Sequence, residues 1–310
     1  MELLKLLEGI RVDIFTAVNL IFTKFGEEIV IFAILCLVYW CINKKLGYQM
    51  AFAYLISGFV VNTIKIIAQV PRPFIKDTSL RPVEEALEHA TGYSFPSGHT
   101  QAATSVYGSL SIHLGRYNIG LSIIMFIPIL CVIFSRMYLG VHTPYDVAVS
   151  FAITMVITTV TAYIFNNYWL DSSHYHIILI LVTLLGLALI ITGALEMVLG
   201  GVPVDKGLDC FKIGSCIIGF IFGWYIEITS VNFNERGIGI GGQILKYIFG
   251  MIGLFAFYVG LKELLFMFLS ETNLIVNILP YFFATFWVTG IYPLIIKKVF
   301  TSPLYYGRRN

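Results

Sequence analysis

The chain is dominated by apolar blocks of about 20 residues, the length that a helix needs to cross the core of a lipid bilayer. Of its residues, 58% are hydrophobic and only 12% are charged, whereas soluble globular proteins carry about 25% charged residues. A transmembrane β-barrel would instead show shorter runs in which apolar and polar residues alternate, and the sequence has no such pattern. These features predict an all-α protein, a polytopic bundle of transmembrane helices.

The apolar blocks predict nine membrane spans. The segment before them, residues 1–24, mixes charges with Leu and Ile at helical spacing, which is typical of an interfacial helix or of the start of the first span. The loop 71–96 is long for a compact connection, and we expect it to be a lid or a substrate-entry element. The nine spans are predicted at residues 29–43, 48–70, 98–115, 119–139, 144–166, 176–200, 210–230, 244–269 and 277–296.

Basic residues beside the spans suggest how the chain is oriented. Lys44 and Lys45 follow the first span, and Lys297 and Lys298 follow the ninth. The positive-inside rule places such residues in the cytoplasm, so we expect the amino terminus outside and the carboxyl terminus inside. The basic residues that this arrangement assigns to the extracytoplasmic face include Lys65, Arg72 and Arg136.

The first of three polar motifs ends the second predicted span. Lys65 and Arg72 are seven residues apart, about two helical turns, so they lie on nearly the same face of a helix. An ionisable residue within a span is costly and therefore a functional candidate. Arginine offers a planar fork to phosphate oxygens, and lysine acts as a point charge. The alternative is that both side chains reach from a helix end toward interfacial water.

The second motif, Pro96-Ser97-Gly98-His99, stands at the head of the third predicted span. The amino end of a helix presents unpaired N–H groups and a partial positive charge, which together favour anions. Ser97 can cap the helix and donate a hydrogen bond from its hydroxyl group, and Gly98 lets the backbone approach a ligand closely. His99 can carry a proton near neutral pH. The alternative is an ordinary capped helix start with an incidental histidine.

The third motif combines a histidine, a carboxylate and an arginine. His142 and Asp146 are four residues apart, so on one helical turn the carboxylate can face the imidazole. A carboxylate that orients a histidine is the logic of a catalytic triad, and Arg136 adds another phosphate donor. The alternative is an interfacial His–Asp pair that stabilises the loop. A metal site would require more carboxylates or a third clustered histidine, so we expect no metal.

Together the motifs supply two histidines, one carboxylate, three cationic side chains and a serine-glycine helix start. Cations can neutralise the charge that a divalent ion otherwise handles in phosphoryl transfer. One histidine can attack phosphorus as a nucleophile, and the other can protonate the leaving alcohol. The sequence therefore indicates phosphoryl transfer with no metal or other cofactor. A formal net charge of +2 is too small to indicate a nucleic-acid partner.

The same residues carry a resemblance to a known family, the type 2 phosphatidic acid phosphatase superfamily of membrane lipid phosphatases. The chain is similar to its three-part signature, which is carried by Lys65-x6-Arg72-Pro73, Pro96-Ser97-Gly98-His99 and Ser135-Arg136-x5-His142-x3-Asp146. The resemblance implies a six-helix phosphatase core, an extracytoplasmic active site and no metal requirement. The nine-span layout is similar to that of the glucose-6-phosphatase branch.

The resemblance also implies a role for each motif residue. His142 would be the nucleophile that forms a phosphohistidine, and Asp146 would orient it. His99 would protonate the leaving group and then activate water. The residues that would hold the substrate phosphate are Lys65, Arg72, Ser97, Gly98 and Arg136.

We expect residues 1–170 to form the phosphatase core and residues 171–310 to add further transmembrane helices to the same integral domain. The predicted function in lipid metabolism is hydrolysis of a lipid phosphate or pyrophosphate, with a phospholipid or isoprenoid-lipid phosphate as the substrate and the lipid bilayer as the setting. This predicts a multi-pass membrane protein, in the cell membrane if the source is bacterial. The oligomeric state is not predicted.

Three alternatives remain open on the sequence. A lipid phosphotransferase would use the same site with another hydroxyl as acceptor, and a sugar-phosphate phosphatase would take a small soluble substrate. An anion transporter is the alternative that is not an enzyme. The cationic residues are predicted at one face of the membrane, whereas transporters bind their substrates near its midplane.

Overall fold

A computed structural model describes residues 1–88, 90, 92–168 and 172–300. The described part is helical and contains no β-strand, which confirms the predicted all-α class. Residues 301–310, the end of the predicted extension, lie outside the described residues. The helices are α1 Glu2–Gly9, α2 Asp13–Lys24, α3 Glu28–Leu37, α4 Lys44–Ala68, α5 Pro73–Lys76, α6 Gly98–Gly115, α7 Ile119–Tyr138, α8 Pro144–Asn167, α9 Tyr175–Val198, α10 Val204–Ile226, α11 Ile240–Phe255, α12 Leu261–Phe266, α13 Leu274–Phe286 and α14 Tyr292–Val299.

Short non-α turns extend or join several of these helices. Single turns of 3-10 helix form at Glu84–Ala86, inside the long loop, and at Ser172–His174, ahead of α9. Single π-helical turns continue α3, α10, α11 and α13; they are Val38–Ile42, Glu227–Val231, Ala256–Gly260 and Trp287–Ile291. The last two of these turns lead directly into α12 and α14.

Seven helical stretches in the described residues are long and apolar enough to cross a bilayer, and an eighth results if the bent pair α2–α3 counts as one span. The seven are Lys44–Lys76, Ile119–Tyr138, Pro144–Asn167, Ser172–Val198, Val204–Val231, Ile240–Phe266 and Leu274–Val299. This number supports a multi-pass membrane protein, but the predicted count of nine spans is not confirmed. Two predicted spans account for the difference. The span 29–43 qualifies only together with α2, as the bent pair, and α6 is helical as predicted but too polar to qualify.

The polarity of α6 is explained by its surroundings. It packs against both α7 and α8, and its serine and threonine side chains are mostly buried. The Ser105 hydroxyl donates to the Ala102 carbonyl at 2.9 Å, and the Ser109 hydroxyl donates to the Ser105 carbonyl at 2.7 Å. Because these hydroxyl groups are satisfied within the helix, α6 can be buried without an apolar surface.

The described chain divides into two compact units, which the sequence crosses more than once. The first contains Met1–Phe32, Gln49–Asn167 and Gly193–Asp209; the second contains Ala33–Tyr48, Tyr168–Thr192 and the described residues from Cys210 onward. The segment 193–209 therefore groups with the helices that carry the three motifs. The predicted domain boundary near residue 170 stays a prediction.

A buried carboxylate holds several elements of the second unit together. Glu227 is fully buried and accepts hydrogen bonds from the Lys44 ammonium and the Phe233 backbone N–H, both at 3.0 Å. The Tyr48 hydroxyl donates to its other oxygen. A buried charge of this kind is tolerated because it is paired and hydrogen-bonded.

Candidate active site

The first unit brings the three motifs together. Lys65 lies in the last turn of α4, Arg136 in the last turn of α7, and the second motif begins α6. His99 and Gly98 are partly buried. The remaining predicted site residues are almost completely buried: Lys65, Arg72, Ser97, Arg136, His142 and Asp146.

The most informative contact joins Arg72 to His142. Arg72 Nη1 lies 2.7 Å from His142 Nε2, and the same nitrogen donates to the Val141 carbonyl at 3.1 Å. A guanidinium group can only donate hydrogen bonds, so Nε2 must be the acceptor and the imidazole proton must lie on Nδ1. Burial, with the nearby Arg72 charge, lowers the pKa of His142 well below its usual value. The imidazole is therefore neutral, with a lone pair on Nε2.

Asp146 faces the opposite nitrogen of this imidazole. Its Oδ2 lies 3.6 Å from His142 Nδ1 and accepts hydrogen bonds from the Ser94 hydroxyl at 2.6 Å and the Thr143 N–H at 2.7 Å. The Asp146 N–H bonds in turn to the Thr143 hydroxyl at 3.3 Å, which completes a reciprocal capping box at the start of α8. Two hydrogen-bond donors, the Ser94 hydroxyl and the Thr143 N–H, therefore fix the carboxylate beside the imidazole.

The spacing of His142 and Asp146 predicts that they share one helical turn. In the structure, His142 instead lies just before α8. Helix α8 begins only at Pro144, because proline is favoured at the first helical position and disfavours helical backbone in the residue before it. The carboxylate reaches back across the helix start instead.

The turn that carries His142 is fixed by the backbone of Arg136. The N–H groups of Val141 and His142 both donate to the Arg136 carbonyl at 3.3 Å. Between them and α7, Gly140 adopts a φ of +79°, a conformation that favours glycine. A glycine two residues before His142 therefore allows the chain to reverse direction there.

Arg136 has N–H donors that no group in the described residues accepts from. Its Nη1 donates to the Thr23 hydroxyl at 2.7 Å. Its Nε and Nη2 have no hydrogen-bond partner in the described part of the chain, although the side chain is 0% exposed. A buried cation with unsatisfied N–H groups is costly, so this edge of the guanidinium suits an anionic ligand.

The start of α6 adds backbone donors to the same region, next to Lys65 of α4. Ser97 caps the helix, since its hydroxyl oxygen accepts from the Thr100 N–H at 3.4 Å. The Ser97 N–H donates to the Asp146 carbonyl at 3.2 Å, and the Ser97 carbonyl accepts from the Ser150 hydroxyl at 2.7 Å. A Cβ atom on Gly98 would lie 3.6 Å from Lys65 Nζ, so this helix start and the ammonium group face the same space.

His99 follows on the first turn of α6. Its backbone carbonyl is approached closely by Gly26, because a Cβ atom on that glycine would lie only 2.8 Å away. In the described part of the chain, no group of three or more His, Cys, Asp or Glu side chains has the arrangement of a metal site.

Comparison of the sequence with models of known protein families identifies the family of this chain. A model of the PAP2 superfamily matches residues 46–170, and a model of the PAP2 superfamily phosphatase transmembrane extension matches residues 211–303. The chain belongs to the PAP2 superfamily. The predicted resemblance is therefore confirmed. Residues 1–45, 171–210 and 304–310 lie outside both matches.

The chain matches three curated relatives over less than half of its own length, and it spans less than two thirds of each of them. It is 32% identical over 133 residues to undecaprenyl-diphosphatase BcrC of Bacillus subtilis (strain 168), which covers 42% of this chain and 65% of that protein. It is 28% identical over 143 residues to sphingosine-1-phosphate phosphatase 2 of Mus musculus, covering 44% and 38%. It is 25% identical over 137 residues to lipid phosphate phosphatase delta of Arabidopsis thaliana, covering 40% and 32%. No solved structure matches the chain.

Within this PAP2 site, the sequence motifs did not point to Ser94. It is fully buried, and its hydroxyl bonds to Asp146 at 2.6 Å and lies 3.5 Å from His142 Nδ1. Ser94 lies two residues before the second motif, and it reaches Asp146 only after the chain has folded. The residue type and spacing of a loop serine do not predict such a contact.

We predict that Ser94→Ala lowers kcat about tenfold and leaves KM within about twofold of the parent. Loss of a hydrogen bond to a charged group costs roughly 1.5–3 kcal/mol, and here the loss loosens the carboxylate behind His142. Steady-state kinetics on the purified protein would measure it. Ser79→Ala removes an exposed loop serine that bonds to Asp77 and should leave both constants unchanged. Equal kinetics for Ser94→Ala and the parent would contradict a positioning role for Ser94.

Proposed function

We propose that this protein is an integral membrane phosphatase that hydrolyses a lipid phosphate or pyrophosphate at the extracytoplasmic face, through a phosphohistidine and without a metal. The observation that carries the proposal is the placement of His142 between Arg72 and Asp146, with Nε2 2.7 Å from Arg72 Nη1 and Nδ1 3.6 Å from Asp146 Oδ2. The names of the relatives describe phosphatases of undecaprenyl diphosphate, sphingosine 1-phosphate and lipid phosphate, which supports a lipid substrate.

In the first step, the substrate phosphate displaces Arg72 from His142 and binds between the cationic side chains. His142 Nε2 attacks phosphorus while the bond from phosphorus to the leaving oxygen breaks. His99 donates a proton to that oxygen, so the leaving group departs as a neutral alcohol or, from a pyrophosphate, as a protonated phosphate. Asp146 accepts from Nδ1–H and stabilises the positive charge that develops on the imidazole.

In the second step, water attacks the phosphorus of the phosphohistidine. His99, now neutral, accepts a proton from the water, and the bond from phosphorus to Nε2 breaks. Inorganic phosphate leaves and His142 returns to its neutral form. Arg72, Arg136 and Lys65, with the N–H groups at the start of α6, neutralise the phosphoryl oxygens in both steps.

Support for the extracytoplasmic face comes from the two ends of α4. Lys44 and Lys45 begin this helix, and Lys65 lies in its last turn. The positive-inside rule assigns the paired lysines to the cytoplasm, which assigns the end with Lys65 to the other side.

A substrate panel tests the proposal directly. The panel would contain phosphatidate, phosphatidylglycerol phosphate, a polyprenyl pyrophosphate, a sphingoid-base phosphate and glucose 6-phosphate. We expect phosphate release from at least one lipid substrate, unchanged by a chelator of divalent metals and blocked by vanadate, which resembles five-coordinate phosphorus. Release from glucose 6-phosphate alone would contradict the lipid class, and activity that a chelator abolishes and magnesium restores would contradict the metal-free mechanism.

A further inference from the structure

The break between α2 and α3 lies against the candidate active site, although it precedes the region that the PAP2 family model matches. Helix α2 ends at Lys24 and α3 begins at Glu28, and the two axes bend by 49°. The short link is a tight turn, in which the Gly26 N–H donates to the Thr23 carbonyl at 3.0 Å. Helix α2 also packs along α7, the helix that carries Arg136.

Thr23, at the end of α2, accepts the hydrogen bond of Arg136 Nη1, while Nε and Nη2 of the same side chain have no partner in the described residues. Both side chains are buried, with exposures of 4% for Thr23 and 0% for Arg136. Hydrogen bonds from a charged donor are shorter and stronger than neutral ones. This bond at 2.7 Å therefore fixes the plane of the guanidinium group.

The orientation of the Arg136 guanidinium group leaves two of its nitrogens for a ligand. Nε and Nη2, which have no partner in the described part of the chain, form one edge of the guanidinium fork. Such an edge can bind two phosphate oxygens at once. With Nη1 held by Thr23, the Nε–Nη2 edge remains available to bind phosphate oxygens.

Gly26, in the link between α2 and α3, lies against His99 of the second motif. A Cβ atom there would lie 2.8 Å from the His99 carbonyl oxygen, 3.0 Å from His99 Cβ and 3.1 Å from Val132 Cγ1. The nearest of these is a backbone atom, which cannot move without shifting the first turn of α6. Only glycine lets the break approach His99 this closely.

We propose that the α2–α3 break is a fourth part of the active site, in addition to the three motifs. Thr23 is a positioning residue that holds Arg136 for the phosphate, and Gly26 sets the position of His99. This proposal rests on the proposed function, in which Arg136 binds the phosphate and His99 transfers the proton.

Substitutions of Thr23 test the first half. Thr23→Val keeps the shape but removes the hydroxyl group, so we expect the Kd for inorganic phosphate and the KM to rise about tenfold, the effect of roughly 1.4 kcal/mol. Thr23→Ser restores the hydroxyl and should stay within about twofold of the parent. The matched control is Thr16→Val, which removes a hydroxyl of the same helix that lies 3.4 Å from the Tyr138 hydroxyl; it should leave both constants unchanged.

A double substitution shows whether Thr23 acts through Arg136. In an Arg136→Lys background the fork is already lost, so adding Thr23→Val should change the Kd for phosphate by less than about twofold. A further tenfold change there, or no change in the single variant, would overturn the positioning role. Titration calorimetry with phosphate reports on Thr23 even if no lipid is hydrolysed, in which case only the proposed function fails. A parent protein that binds no phosphate would overturn both.

Gly26→Ala tests the second half. We expect it to lower kcat at least tenfold with a smaller change in KM, because it displaces the turn that carries His99. The matched control is Gly9→Ala in α1, where an added Cβ would meet nothing within 4 Å, and its kinetics should equal those of the parent. Parental kcat in a folded Gly26→Ala protein would overturn this half of the proposal.

Discussion

Replacing His142 with alanine should reduce phosphate release from the lipid substrate by at least about a thousandfold, since the variant lacks the atom that attacks phosphorus. Nearby cations would still bind the phosphate, so KM or the Kd for phosphate should change far less than kcat. Initial rates with the best lipid of the panel give the first number, and calorimetry gives the second. Parent protein that is quenched during turnover of a labelled substrate should carry phosphate in a bond that survives alkali and is lost in acid, as a phosphoramidate does.

The control for this variant is His113→Ala. His113 lies in the last turn of α6, at the opposite end of the helix from His99, and its removal should leave turnover and labelling intact. If His142→Ala turned over lipid at the parental rate, or if it still acquired the acid-labile label, His142 would not be the nucleophile.

The residues proposed for the chemistry could be predicted from the sequence because each motif carries its own local signal. Lys65 and Arg72 are conspicuous in an apolar chain, and Pro96-Ser97-Gly98-His99 has the composition of a helix start. The spacing of His142 and Asp146 suggested that they face each other. The structure places the two groups 3.6 Å apart, although it does so across the start of α8.

Ser94 and Thr23 had no such signal. Each is a small hydroxyl residue whose importance comes from a partner that is distant in sequence, Asp146 for Ser94 and Arg136 for Thr23. Contacts of this kind depend on how helices pack, and residue type or spacing does not encode them. Gly26 belongs with them, because its need for glycine arises from the His99 backbone opposite it.

The span count differed for a related reason. Hydropathy measures how well a helix suits lipid, and α6 is polar because its neighbours are α7 and α8. The buried Ser105 and Ser109 hydroxyl groups bond to backbone carbonyls of the same helix, so their burial inside the protein leaves no donor unsatisfied. A sequence window cannot tell a helix that faces lipid from one enclosed by other helices. The helix itself was predicted within a residue of its bounds.

The second large effect is expected at His99, and it should depend on the leaving group. With an alkyl lipid phosphate, His99→Ala should lower kcat by about 10²–10⁴-fold, the usual contribution of a general acid. An aryl phosphate such as p-nitrophenyl phosphate has a leaving group that needs no proton. Its first step should therefore be nearly normal in the variant. The second step still lacks a base for water, so we expect a burst of about one nitrophenol per active site, followed by slow turnover.

Stopped-flow absorbance at the nitrophenolate band measures the burst, and acid-labile labelling measures the trapped phosphohistidine. Alkaline quench of the same samples should preserve the label, because the phosphoramidate bond is stable there. The double variant His99→Ala/His142→Ala removes the acceptor and should abolish the burst. Equal losses for alkyl and aryl substrates, without a burst, would contradict a role for His99 in proton transfer, since a residue that only shapes the site would slow both substrates alike.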